Sequence, residues 1–136
     1  MAFHKGFVCL DRIIFEHMKK IYYLGPCSTC ADIMKDADIS ESTGFELQDI
    51  RTEKITPVQI DQMKKLAGSY EALFSRRALK YKELGLKDKK LTDNDYKNYI
   101  LEYDTFLKRP VVILGDDIFI GSEKKNVAAL KAALGK

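Results

Sequence analysis

The sequence predicts an α/β domain in which a strand-helix-strand unit and a strand-strand-helix unit share a mixed sheet, with a helical insertion between the two halves. Three observations carry that expectation. Short runs of β-branched and aromatic residues, closed by Gly or Pro, mark strands around residues 21, 45 and 111–120. Small polar residues at 28–29, 56, 92 and 122 precede stretches whose apolar residues recur at helical spacing. The length of 136 residues, with 46% hydrophobic and 32% charged residues, suits one core, and no repeat or Pro/Gly/Ser linker divides it.

Taken in order, Ile21-Tyr22-Tyr23-Leu24 reads as a buried strand stopped by Gly25-Pro26. Residues 28–38 place Ala31, Ile33, Met34 and Ala37 on one helical face, with Ser28 or Thr29 as the cap. Phe45, Leu47 and Ile50 indicate a second strand, and the three elements make a βαβ unit with parallel strands. Residues 56–107 are expected to be helical. Thr56-Pro57-Val58-Gln59 is a capping box with proline in the first turn, followed by an apolar face of Val58, Met63 and Leu66. Thr92 with Asp95 repeats the device ahead of Tyr96, Tyr99, Ile100 and Tyr103, and 70–86 is helical in part, ending at Gly85. Val111–Leu114 and Ile118–Ile120, joined through Gly115-Asp116-Asp117, predict an antiparallel hairpin. Ser122 is expected to cap a last helix with Val127, Leu130 and Leu134 on one face. With the insertion set aside, βαβ followed by ββα is the connectivity of a thioredoxin-like domain, its core at about 18–55 and 108–136.

Composition narrows the function. Lys plus Arg number 23 against 20 acids, and a well-mixed +3 argues against direct binding of nucleic acid. No stretch approaches the roughly 18 apolar residues of a membrane span, so neither a membrane nor an export route is expected and the cytoplasm is the expected location. Residues 1–17 read as a leader, disordered or an upstream start, because Met18-Lys19-Lys20 offers a second initiation point. Three cysteines do not suit a disulfide framework; they favour chemistry at the pair Cys27 and Cys30, with Cys9 a bystander in the leader.

Cys27 stands where the first strand gives way to a helix. Unpaired amides at a helix start favour thiolate over thiol, which makes Cys27 the candidate nucleophile. Cys30, one turn on, is placed to attack a mixed disulfide at Cys27 and so is the candidate resolving thiol. Two plain core cysteines are the bland alternative. Zinc would need two more ligands, and His4, Cys9 and His17 match no structural-zinc spacing, so no metal is expected. A phosphatase-type loop fails because position 33 is Ile33 rather than arginine.

Lys108-Arg109-Pro110 forms a second constellation. Proline cannot donate to a sheet ladder, which puts Pro110 at the head of the Val111 strand, and a cis Arg109-Pro110 bond is open. Arg109 could offer a fork of donors to an oxyanion beside the thiolate, as could Arg76 or Arg77 from the insertion; solvated surface charge is the alternative for each. The Tyr96, Tyr99, Tyr103 stripe is expected to be core.

Ile21-Tyr22-Tyr23 with Cys27-x-x-Cys30, then Asp49-Ile50-Arg51, Tyr81-Lys82-Glu83-Leu84-Gly85-Leu86 and Arg109-Pro110-Val111-Val112, resemble the glutaredoxin-coupled arsenate reductase and Spx-type family over residues 19–134. In arsenate reductases of this kind a cysteine attacks arsenate, arginines hold the oxyanion, and glutathione with glutaredoxin completes the reduction. The resemblance matches Cys27 to that nucleophile and Arg109, with Pro110, to the arginine-proline step. Arg77 is similar to the arginine four residues before the Tyr-x-x-Leu segment, with Arg76 as the other choice. Two positions depart from the pattern: Ala31 stands where arginine is usual, and no arginine falls near Ile120-Gly121, so weaker oxyanion binding is expected. Spx-type regulators share the cysteine pair and bind the C-terminal domain of the RNA polymerase α-subunit. The expectation is therefore a thiol-dependent oxidoreductase without a bound cofactor, served by glutathione with a glutaredoxin or thioredoxin-type reductant. Its alternative is a redox-sensing regulator.

Overall fold

The computed structural model describes residues 18–136; the leader, with Cys9, His4 and His17, lies outside the described residues. Strand β1 (Lys19–Tyr23) leads through a turn into α1 (Ser28–Asp36), and β2 is Glu46–Asp49. Three helices follow, α2 (Pro57–Ala67), α3 (Leu79–Glu83) and α4 (Asp93–Glu102), interleaved with single 3-10 turns at Glu71–Leu73, Leu86–Asp88 and Asp104–Phe106. The chain closes with β3 (Val111–Leu114), β4 (Asp117–Ile120) and α5 (Lys124–Ala133). The strand order is β2-β1-β3-β4, with β1 parallel to β2 and antiparallel to β3, and β3 antiparallel to β4. The four-stranded mixed sheet with five helices is the expected thioredoxin-like α/β arrangement.

Strand alternation sorts the core into two layers. Leu47, Ile21, Val112 and Phe119 stand in register across all four strands and face Ile33 of α1 and Leu130 of α5. Tyr22, Val111 and Ile113 point the other way, into a cluster with Ile60, Met63, Phe74, Ile100 and Phe106 from the helical segment. A reciprocal amide pair fastens that segment to the sheet. Buried Gln48 of β2 donates to Gln59 Oε1 at 3.1 Å, and Gln59 Nε2 donates back at 2.8 Å.

Several local expectations need correction. Ser28 and Thr29 do not cap α1; Cys27 occupies that position and makes no side-chain cap bond. Ser122 likewise does not cap α5, whose N-cap is Glu123, again without a side-chain bond. Val58 is 78% exposed, because two residues carry it about 200° round the helix from buried Ile60. Ile60 and Met63 form the buried face in its place. The first strand runs from Lys19 to Tyr23, leaving Leu24 beyond it, and Phe45 and Ile50 flank β2 as buried neighbours. The hairpin turn is Gly115-Asp116 with Gly115 at φ 60°, since Asp117 already pairs with Leu114. Both threonine capping boxes form as read, at Thr56 and Thr92.

Candidate functional site

The turn after β1 delivers Cys27. Its N–H donates to Leu24 C=O at 3.0 Å, and its own C=O accepts from Ala31 N–H at 3.2 Å, the first bond of α1. Cys27 has φ −86° and ψ 110°, an extended residue at the helix mouth. The thiol is partly exposed, whereas Cys30, one turn into α1, is fully buried. Asp49 at the end of β2 steadies the turn by accepting the Gly25 N–H at 3.1 Å.

These surroundings push the two thiols apart. Burial alone would raise Cys27, but the Cys30 amide and thiol, the Arg109 guanidinium and the Thr29 amide together bring it below the ordinary cysteine value. Burial pushes Cys30 up to about 11, and the neighbouring Cys27 sulfur adds to the rise. One helical turn thus holds a thiolate-favouring sulfur and a sulfur that keeps its proton.

Arg109 acts on both sulfurs through its charge. It precedes Pro110 through a cis bond, and Pro110 stands one residue before β3 rather than as its first residue, its C=O accepting from Gly121 N–H at 2.9 Å. Arg109 Nη1 donates to Thr105 C=O at 3.1 Å; its Nε is buried and has no partner among the described residues. Two clefts meet at this arginine. One, of about 370 Å³, is lined by Ser75, Arg76, Arg77, Lys108, Arg109 and Ser122 among others. The second, about 690 Å³, takes Lys54, Arg77, Lys80, Tyr103 and Arg109. Cys27 lines neither.

Structure separates the two arginines of the insertion. Arg76 is engaged, with Nη2 2.6 Å from Glu71 Oε2 and 3.2 Å from the Tyr96 hydroxyl, its guanidinium lying over the Tyr96 ring. Arg77 is exposed, forms no ion pair among the described residues, and borders both clefts with Arg109. Ala31 is exposed, and Gly121, at φ 90°, lines the smaller cleft without contributing charge.

Sequence reading missed Lys108 and Ser122 as cleft residues and Asp49 as the anchor of the cysteine turn. The Asp49-Ile50-Arg51 segment was the available signal for the last, but nothing in the sequence pairs it with Gly25. Tyr96 and Ile100 are buried as expected, with Tyr99 and Tyr103 packed against them. Among the described residues no group of three or more His, Cys, Asp or Glu side chains converges to hold a metal, and no helix is long and apolar enough to cross a membrane.

A four-stranded mixed sheet with a cysteine pair at its first strand-helix junction defines a protein of the thioredoxin-like class. More particularly, the chain belongs to the ArsC family, whose model matches residues 22–130. Among solved structures, the arsenate reductase from Vibrio cholerae superposes with a TM-score of 0.69 at 17% identity, over 84% of this chain and 98% of that one. SACOL0876 from Staphylococcus aureus gives 0.65 at 27% identity, over 82% and 97%. An arsenate reductase-related protein from Brucella melitensis gives 0.61 at 18% identity, over 82% and 92%. No match was found among curated proteins. Family membership makes this a chain of a thiol oxidoreductase family.

Proposed function

We propose that the protein reduces a disulfide or an oxyanion through Cys27, with Cys30 as the resolving thiol. The observation that carries this reading is the opposed acidity of two sulfurs one helical turn apart, the outer one lowered and the inner one raised. With a disulfide, the Cys27 thiolate attacks one sulfur, the S–S bond breaks, and the leaving thiolate takes a proton from water. Cys30 then gives up its proton and attacks Cys27 Sγ, expelling the second thiol. The substrate gains two electrons and two protons, and the protein keeps a Cys27–Cys30 disulfide. A glutaredoxin or thioredoxin-type dithiol restores the pair. With arsenate, Cys27 would displace one oxygen as water to form an S–As bond. Attack by Cys30 on Cys27 Sγ would then leave the bond pair on arsenic and release arsenite.

Arg109 and Arg77 support an anionic substrate, since both border the two clefts. Pro110 places the Arg109 backbone just ahead of β3. The test is reductant consumption with glutathione and glutaredoxin, once with arsenate and once with a small disulfide. We expect turnover on at least one substrate; no rate above a Cys27→Ser control on either would end the enzyme reading.

Ala31 and Gly121, uncharged where arginines would grip an oxyanion, favour one second reading: a redox-sensing regulator of the Spx type that uses the couple without turnover. A pull-down with the C-terminal domain of the RNA polymerase α-subunit, oxidised and reduced, tests it. Absence of binding in both states removes it. Either reading fits a compartment that keeps thiols reduced, such as the cytoplasm.

A further inference from the structure

Asp49-Ile50-Arg51 takes no part in the chemistry above, yet its groups connect the cysteine turn to the arginine. Asp49 Oδ1 accepts from Gly25 N–H at 3.1 Å and from Arg51 N–H at 3.0 Å. A Cβ at Gly25 would overlap the same carboxylate, so a larger residue there would push Asp49 out of its bond to the turn. Arg51 then reaches a residue 53 positions away. Its Nε donates to Asp104 Oδ2 at 2.6 Å and its Nη2 to Oδ1 at 3.3 Å, a two-point fork. Asp104 opens the 3-10 turn Asp104–Phe106, and within that turn Thr105 C=O accepts from Arg109 Nη1 at 3.1 Å. The same turn is tied to an earlier part of the insertion, because Phe106 C=O accepts from Ser75 N–H at 2.7 Å. A continuous path therefore runs from the Gly25 turn through Asp49, Arg51, Asp104 and Thr105 to Arg109.

We propose that Arg51 and Asp104 form a clasp that holds the Asp104–Phe106 turn, and with it Arg109, against the cysteine turn. Arg51 is then a positioning residue for the cysteine chemistry. The proposal rests on the reading of Arg109 as the cation that acts on Cys27. A lone surface ion pair would contribute little, and Arg51 is 47% exposed. What distinguishes this pair is that each end is anchored independently: Asp49 holds the Arg51 backbone, and the hydrogen-bonded turn holds Asp104. Its effect is geometric, and it is read at the thiol rather than in stability.

The test uses the full-length protein and the pH midpoint of iodoacetamide alkylation, read at the Cys27 peptide by mass spectrometry. Arg109 is one of the groups that lower the Cys27 thiol, so Arg109→Ala is expected to raise this midpoint. Arg51→Ala should raise it by less than Arg109→Ala does, and the double variant no further than Arg109→Ala alone, because the two act on one path. Arg51→Lys, which replaces the fork by a single ammonium, should fall between wild type and Arg51→Ala. Urea unfolding verifies that each variant is folded, and Asp104→Asn repeats the test from the other end should Arg51→Ala fail to fold. A folded Arg51→Ala with the wild-type midpoint overturns the clasp and leaves Arg109 in place. Additive shifts in the double variant also overturn it, by routing Arg51 around Arg109. No shift on Arg109→Ala overturns both the clasp and the reading of Arg109.

Discussion

A serine at position 27 would cap α1 with its hydroxyl, whereas the cysteine there makes no cap bond and leaves the first-turn amides facing its sulfur. Cys27→Ser should therefore abolish reduction while raising stability by about 0.5–1 kcal/mol, a change measurable by urea unfolding. Cys30→Ser should stop the reaction at the first exchange, so that incubation with a small disulfide leaves a mixed disulfide on Cys27, visible by intact mass. Two buried groups should weaken the fold at alkaline pH. Cys30 is raised from 9.0 to about 11, and Tyr22 from 10.0 to about 12, mainly by burial. Both prefer the protonated form in the folded state, so their contribution is complete below the unfolded values and is lost as pH rises through the folded ones. The urea midpoint should fall between about pH 9 and 12, and the fall should shrink in Tyr22→Phe.

Helix starts show which signals travel from sequence to element. At Thr56 and Thr92 the threonine is followed three residues on by Gln59 or Asp95, and both reciprocal boxes form. Thr92→Ala should cost about 1 kcal/mol in thermal or urea unfolding. Ser122 lacks such a return partner, and the residue after it takes the cap position, so Ser122→Ala should stay within about 0.5 kcal/mol. A small polar residue near a helix start is thus a weak signal alone and a strong one when reciprocated. Helical phase explains Val58 in the same way: the apolar pattern reads correctly only when the face is anchored on Ile60 and Met63.

Over the whole molecule the sheet is covered on both sides, and the insertion supplies most of one layer. Phe106, fully buried, stacks on Phe74 at 4.8 Å and meets Tyr99 and Tyr103 edge-on. Phe106→Ala should cost about 3–5 kcal/mol, and far-UV dichroism and Cys30 alkylation should report one coincident transition. A separate early transition of the helices would contradict the shared layer. Strands, capping boxes and the Cys27–Cys30 pair were legible in the sequence because each depends on residues within about one turn or one strand of each other. So was the step from Arg109 to Pro110. The sequence could not say that Arg76 is occupied by Glu71 and Tyr96 while Arg77 borders the clefts beside Arg109, nor that Arg51 meets Asp104. Glu71 is only five positions from Arg76, but Tyr96 reaches Arg76 from 20 positions away and Asp104 reaches Arg51 from 53, which depends on how the helical segment folds back over the sheet. Local pattern thus determined the fold class and the place of the cysteine pair at a helix start, and tertiary packing alone decided which arginine is engaged and which borders the clefts with Arg109.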